Sequence, residues 1–147
     1  MKKIFTFVLW VFVGVFTSSS VMALCVNVPE TELYMGPGFQ YAKSSWKLSV
    51  NTPLRKLDSW DDWYKVSDVD GDIHWVHTSS VIQGYFCVIV KVQSTALRNG
   101  PGERYEKIMD SEKYEAFRLV KKQGPWSQVA NEEEKGFWIL SSATWVQ

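Results

Sequence analysis

Hydrophobic and polar positions follow two regimes along this chain. Residues 4–16 are apolar apart from Thr6 and Gly14, and lie between the positive start Met1-Lys2-Lys3 and the polar run Thr17-Ser18-Ser19-Ser20. Beyond residue 24 the apolar segments are short and bounded by turn residues. Val26-Asn27-Val28 and the run at 88–92 begin with the alternation of strands, and residues 54–57 and 117–120 are short apolar-basic runs. Trp63-Tyr64-Lys65-Val66 has the period of two expected of a half-buried strand. Asp70-Gly71 marks a hairpin turn into a further strand over 73–77. No segment beyond residue 24 sustains a 3.6-residue apolar stripe, although 104–115 is helix-permissive. About five short strands per 60 residues, joined by turns, predict an all-β chain built of small antiparallel barrels.

The pattern occurs twice. Cys25-Val26-Asn27-Val28 is echoed by Cys87-Val88-Ile89-Val90, and Leu33-Tyr34-Met35-Gly36-Pro37-Gly38 with Tyr41 by Leu97-Arg98-Asn99-Gly100-Pro101-Gly102 with Tyr105. Trp63-Tyr64-Lys65-Val66 returns as Trp126-Ser127-Gln128-Val129, and His74-Trp75-Val76 as Phe137-Trp138-Ile139. The offsets are 62, 64, 63 and 63 residues. Landmarks that keep order and spacing this closely identify a tandem duplication. The repeated Trp63, Trp75, Trp126 and Trp138 are expected mainly in the cores.

The leader changes the compartment. A positive start, an apolar run and the small-residue ending at Ala23 have the order of a secretory signal peptide cleaved after Ala23. Thirteen residues at about 1.5 Å each reach about 20 Å, short of a bilayer span. An uncleaved anchor is the alternative, and a lipid on Cys25 is disfavoured by Leu24 before it. The expected organisation is a signal peptide over 1–23, a first unit over 24–83 and a second over 84–147. The expected product is an exported, periplasmic or extracellular monomer with no transmembrane span after cleavage. Two cysteines, Cys25 and Cys87, then read as a disulfide in an oxidising compartment, with two buried free thiols as the alternative.

The full chain has 16 basic and 16 acidic residues, so no basic surface points to nucleic acid. The first unit has 5 basic against 8 acidic residues and the second 9 against 8, so the acidic asymmetry belongs to the first. Eight Trp among 22 aromatic residues fit small barrels filled by large rings.

A short strand, Gly-Pro-Gly followed by a Tyr, then Trp-x-x-Val and a later Trp-Val, resembles the bacterial Src-homology-3 (SH3) domain family, and tandem exported copies beginning near a Cys are a recognisable subgroup. The resemblance covers both units, about residues 25–82 and 87–145. It implies two SH3-like five-stranded β-barrels that bind peptides or cell-wall material, usually without catalysis. The second unit departs from the first at Ser127-Gln128 and Leu140, which puts equal binding by both copies in doubt. The eukaryotic Pro-rich-ligand motif is not visible. The first and last strands of such a barrel lie close together, so the resemblance further implies a Cys25–Cys87 bridge clipping the ends of the first barrel and fixing where the second departs. Tyr85 and Phe86 are expected to pack at that junction.

Candidate chemistry is sparse. Asp68-Val69-Asp70-Gly71-Asp72 superficially resembles a calcium loop, but Gly is fourth and Ser79 stands twelfth, where an EF-hand needs Gly sixth and Glu twelfth. A solvated hairpin turn is expected there. Cys87 with the histidines invites a thiol-peptidase reading, yet Cys87 repeats Cys25 and so reads as structural. His74 and His77 are expected on one strand face, where they would form half of a zinc site; without a further ligand a polar face is the stronger reading. No metal, no cofactor and no catalytic residue are expected. The candidate ligand-binding residues are Tyr34, Tyr41, Trp46, Trp60, Asp61, Asp62 and Tyr64, aromatic groups beside acids that suit sugar rings or peptide backbone, with plain barrel packing as the alternative. Two functions follow as expectations: an exported module binding peptidoglycan peptides or another envelope polymer, or an adaptor docking an envelope protein.

Overall fold

A computed structural model describes residues 23–146. The signal-peptide expectation for 1–22 falls outside these residues. Sheet one comprises β1 (Ala23–Val26), β2 (Glu30–Tyr34), β3 (Lys43–Ser49), β4 (Pro53–Trp60), β5 (Trp63–Ser67), β6 (Ile73–His77) and β7 (Val81–Ile82). Sheet two comprises β8 (Cys87–Val90), β9 (Ser94–Arg98), β10 (Lys107–Glu112), β11 (Ala116–Gln123), β12 (Trp126–Ala130), β13 (Gly136–Leu140) and β14 (Thr144–Val146). The strand orders are β3-β2-β6-β5-β4-β1-β7 and β10-β9-β13-β12-β11-β8-β14. All described pairings are antiparallel. The expected all-β duplication is observed, with seven strands per copy instead of about five, among them a short terminal strand that follows a single 3-10 turn, Thr78–Ser80 or Ser141–Ala143. The helix-permissive stretch is largely β10, whose pairing with β9 overrides local preference.

Each sheet buries its own apolar face. Leu24, Val26, Leu33, Leu54, Val66, Val76 and Val81 form one core, and Val88, Val90, Leu97, Phe117, Val129, Phe137 and Ile139 the other. Leu33, fully buried, contributes about 1.5–3 kcal/mol by leaving water. Period-two alternation then sends the neighbours outward. Trp63, Trp126 and Trp138 are nonetheless buried, whereas Trp75 is only half-buried, a correction to its expected core place. Val76 occupies the inward position of β6, so Trp75 lies on the opposite face across from Lys65 and Tyr34.

Turn geometry repeats as faithfully as the cores. Left-handed backbone occurs at Asn51 and Tyr114, at Asp61 and Gly124, and at Gly71 and Glu134, three matched pairs 63 residues apart. The Gly-Pro-Gly element has a steric cause. A Cβ on Gly36 would lie 2.5 Å from the Tyr41 ring, and one on Gly100 would likewise collide with Tyr105, so each Tyr packs over its glycine.

Cys25 and Cys87 are bonded, with their Cα atoms 6.0 Å apart. The bond joins the opening strand of sheet one to that of sheet two, and the loop it closes encloses β2 to β7 of the first unit. The two cysteines are not equivalent. Cys25 lies opposite Pro53 and Ile82, while Ile89 holds that place in sheet two, opposite Ala116 and Trp145. Cys87 instead opposes Arg118, as Ala23 opposes Arg55. The Cys-Val echo is therefore displaced by two residues, a shift that preserves which face each side chain occupies. At the junction the Tyr85 hydroxyl donates to Asn51 Oδ1 at 3.2 Å, and burial pushes its phenol above the usual range. Phe86, by contrast, is 60% exposed, against the expectation that it packs. No helix of the described residues is long and apolar enough to cross a membrane.

Candidate functional site

Of the candidate residues, Tyr34 alone belongs to a convergent aromatic site. It ends β2 beside β6, where its ring meets Trp63 edge-on at 5.1 Å between centroids and Phe39 at 5.7 Å. Phe39 follows Gly-Pro-Gly directly, and its ring lies 4.9 Å from Trp63 and stacks on His77 at 5.5 Å. Trp63 opens β5 opposite His77, which ends β6, so pairing of these strands places both rings side by side. The four rings thus come from two strand ends, one strand start and one turn. Trp63 and Tyr34 are buried beneath, and Phe39 stands 68% exposed above them. Ser79 holds one edge of the His77 ring, with Nδ1 2.7 Å from its Oγ and 3.3 Å from its backbone N.

The edge of this platform is charged. Tyr34 donates its hydroxyl to Glu32 Oε2 at 3.2 Å, and Lys43 Nζ reaches the same carboxylate at 2.6 Å. The Lys43 hydrogen bond holds the Glu32 carboxyl below its ordinary range, and the same contact holds the Lys43 ammonium above its own. Glu30 and Lys47 form a second pair at 2.7 Å on the neighbouring rungs. Between the rings and the acids lies an open cavity of about 370 Å³ lined by Glu30, Thr31, Glu32, Tyr34, Phe39 and His77. A flat aromatic surface beside a hydrogen-bonding carboxylate can hold a sugar ring or an extended peptide.

The remaining candidates lie elsewhere. Tyr41 packs over Gly36. Tyr64 packs against the first core and under the Lys56 ammonium, 4.0 Å from its ring centroid. Trp60, Asp61 and Asp62 form the exposed β4–β5 hairpin tip, with Asp61 in its left-handed position. Trp46 on β3 faces the other copy, with its ring 5.9 Å from Tyr114. The sequence reading missed Phe39 and His77 as members of the site. Their legible signal is the loss of both in the second copy, where Glu103 and Leu140 stand. His74 and His77 do not share a face: they are three residues apart on one strand, so alternation sends them to opposite sides.

The second copy does not rebuild the platform. Tyr34, Phe39, Trp63 and His77 correspond to Arg98, Glu103, Trp126 and Leu140. Arg98 Nη1 donates to the carbonyls of Glu103 at 3.2 Å and Tyr105 at 2.9 Å, tying the loop to its own strand.

No family model matches the chain, and no curated protein matches it. An NlpC/P60 family protein from Bacillus cereus ATCC 10987 aligns with 85% of this chain and 56% of its own length, at 11% identity and a TM-score of 0.41. NlpC2 from Trichomonas vaginalis aligns with 89% of this chain and 50% of its own length, at 11% identity and a TM-score of 0.37. The chain spans about half the length of these solved structures.

Proposed function

We propose that this protein is an exported, non-catalytic binding module whose first copy engages peptidoglycan peptides or another cell-envelope polymer on the Tyr34–Phe39–Trp63–His77 platform. The observation that carries the reading is Phe39, a large ring exposed over a buried aromatic base and next to an anchored carboxylate. Unlike an apolar residue exposed singly, Phe39 joins Tyr34, Trp63 and His77 in one contiguous aromatic patch, the kind of surface that marks a binding site. Cys87 also supports a non-catalytic role, since its sulfur is committed to a disulfide and offers no thiolate. The disulfide accords with export to an oxidising compartment, where the chain would begin at Leu24. N-terminal sequencing of exported material checks that start, and a Met1 start or lipidated Cys25 would count against it.

Binding is tested by co-sedimentation with insoluble peptidoglycan. The wild type should pellet, Phe39→Ala should stay largely in the supernatant, and Glu103→Ala in the second copy should behave as wild type. If the wild type itself remains in solution, the polymer reading fails and the adaptor role, docking an envelope protein through the same platform, replaces it.

A further inference from the structure

His74 occupies a position built for an apolar ring. It pairs with Val66 on β5 as Phe137 pairs with Val129 on β12, and Phe137 is a buried member of the second core. The His74 side chain keeps only 11% of its exposure, and both of its ring nitrogens are shut from solvent with no hydrogen-bond partner. A buried polar ring in the place of a phenyl is a cost without a return inside the protein. Both nitrogens are therefore open to a partner from outside the described residues.

The loop above it is equally biased. Asp68 Oδ1 accepts the N–H groups of Asp70 and Asp72 at 3.0 and 2.9 Å, which pins the carboxylate and leaves Oδ2 facing His74 Nε2 at 3.9 Å. One donor atom each from Asp68, Asp72 and His74 lie within 4.8 Å of one another. The second copy makes the same turn with Asn131, whose Oδ1 accepts from Glu133 and Lys135. There the counterpart of Asp72 is Lys135, and its ammonium lies 5.3 Å from the Phe137 ring centroid. One copy thus sets its own cation over a core phenyl, while the other gathers two carboxylates around an unpartnered imidazole.

We propose that Asp68, Asp72 and His74 form a site for a divalent first-row transition ion, represented by Zn²⁺. Imidazole nitrogen favours such ions over calcium or magnesium, and two carboxylates supply the compensating charge. A tetrahedral site with bonds of about 2.0–2.2 Å needs donors closer together than they stand. Asp72 is exposed and enters the turn's hydrogen bonds through its backbone N–H, so its carboxylate can swing inward, while a small side-chain rotation brings Asp68 Oδ2 and His74 Nε2 closer than their 3.9 Å. The same loop carries Asp70, which Lys113 of the second copy reaches at 3.4 Å, so an ion would also stiffen one side of the contact between copies. Pinned donors around a sealed nitrogen give this site a rationale that the acidic turn alone lacks.

The test uses the disulfide-intact chain, stripped with a chelator and titrated with Zn²⁺, read by calorimetry, by thermal unfolding and by the nuclear magnetic resonance signals of the two histidine rings. The wild type should bind one ion saturably, unfold at higher temperature with zinc, and shift the His74 ring signals. Asp72→Asn, an exposed change that leaves the turn intact, and His74→Phe, the second copy's own residue, should each weaken binding on the order of tenfold or more. His77→Gln should not. No saturable binding, binding retained in both site variants, binding lost only in His77→Gln, or a larger response to Ca²⁺ than to Zn²⁺ would each overturn the site. Peptidoglycan co-sedimentation through Phe39 does not depend on any of these outcomes.

Discussion

Removing the Cys25–Cys87 bond should weaken the first copy far more than the second. The bond closes a loop of 62 residues, and the loop contains sheet one from the end of β1 through β7. Loop-closure entropy for that length is about 14 cal/mol/K, or about 4 kcal/mol at 25 °C. A unit of this size holds about 3–9 kcal/mol in total, so the loss takes a large part of what keeps sheet one folded. Sheet two lies almost wholly outside the loop, and its unfolded ensemble is little constrained by the bond. Both cysteines are buried, so a paired Cys25→Ala and Cys87→Ala change also leaves a small void that adds to the cost.

Hydrogen exchange followed by mass spectrometry separates the two copies in one experiment. In the double variant, amides of β1–β7 should lose protection by about three orders of magnitude, since each 1.4 kcal/mol is about tenfold. Amides of β8–β14 should change by much less. A loss under about tenfold in the first copy would show that the bond contributes no loop entropy to its stability. Equal losses in both copies would show that they unfold as one unit, and the localisation to sheet one would be wrong.

Gly36→Ala and Gly100→Ala should each destabilise by about 1–3 kcal/mol in urea unfolding, because the new methyl displaces a Tyr ring packed on the backbone; a neutral result would mean the Tyr rings are not held there. Glu32 contributes to stability in a defined pH window. Its carboxyl titrates below the ordinary 4.5 in the folded chain, so its contribution is full above that value and fades as pH falls through the lower folded value. Glu32→Gln should therefore flatten part of the acid limb of the stability profile below about pH 4.5, and an unchanged limb would remove Lys43 as its partner.

The strand ladder was legible because period-two alternation survives duplication and the Trp and Gly-Pro-Gly landmarks fall at matching places in the two sheets, as does the turn that carries Asp70-Gly71 in the first and Glu133-Glu134 in the second. What misled was the same periodicity. The Cys-Val echo at 62 residues and the true register at 64 both place apolar residues on the same faces, and the cross-strand partners Pro53, Ala116 and Arg118 separate them. Spacing misled again at His74 and His77, where an odd interval means opposite faces. Trp46 and Trp60 look alike in sequence, yet one turns toward Tyr114 of the other copy and the other caps a hairpin. That choice depends on how the copies pack, which no local pattern encodes.

Divergence between the copies is concentrated on the outer faces and spares most of the cores, the inward position of His74 and Phe137 being an exception. Leu33, Val66 and Val76 keep apolar counterparts in Leu97, Val129 and Ile139, because a change of volume there is felt at once in packing. At the platform, the Tyr34 position became Arg98, whose guanidinium is occupied by two carbonyls of its own loop. At the acidic turn, Asp72 and His74 face Lys135 and Phe137, a pairing complete within the chain. In both places the second copy satisfies internally what the first leaves open, as an exposed ring at Phe39 and as unpartnered nitrogens on His74. Two openings on one copy, each closed at the matching place in the other, are the asymmetry on which the proposed binding role of the first copy rests, with the second copy joined to it through Cys25 and Cys87.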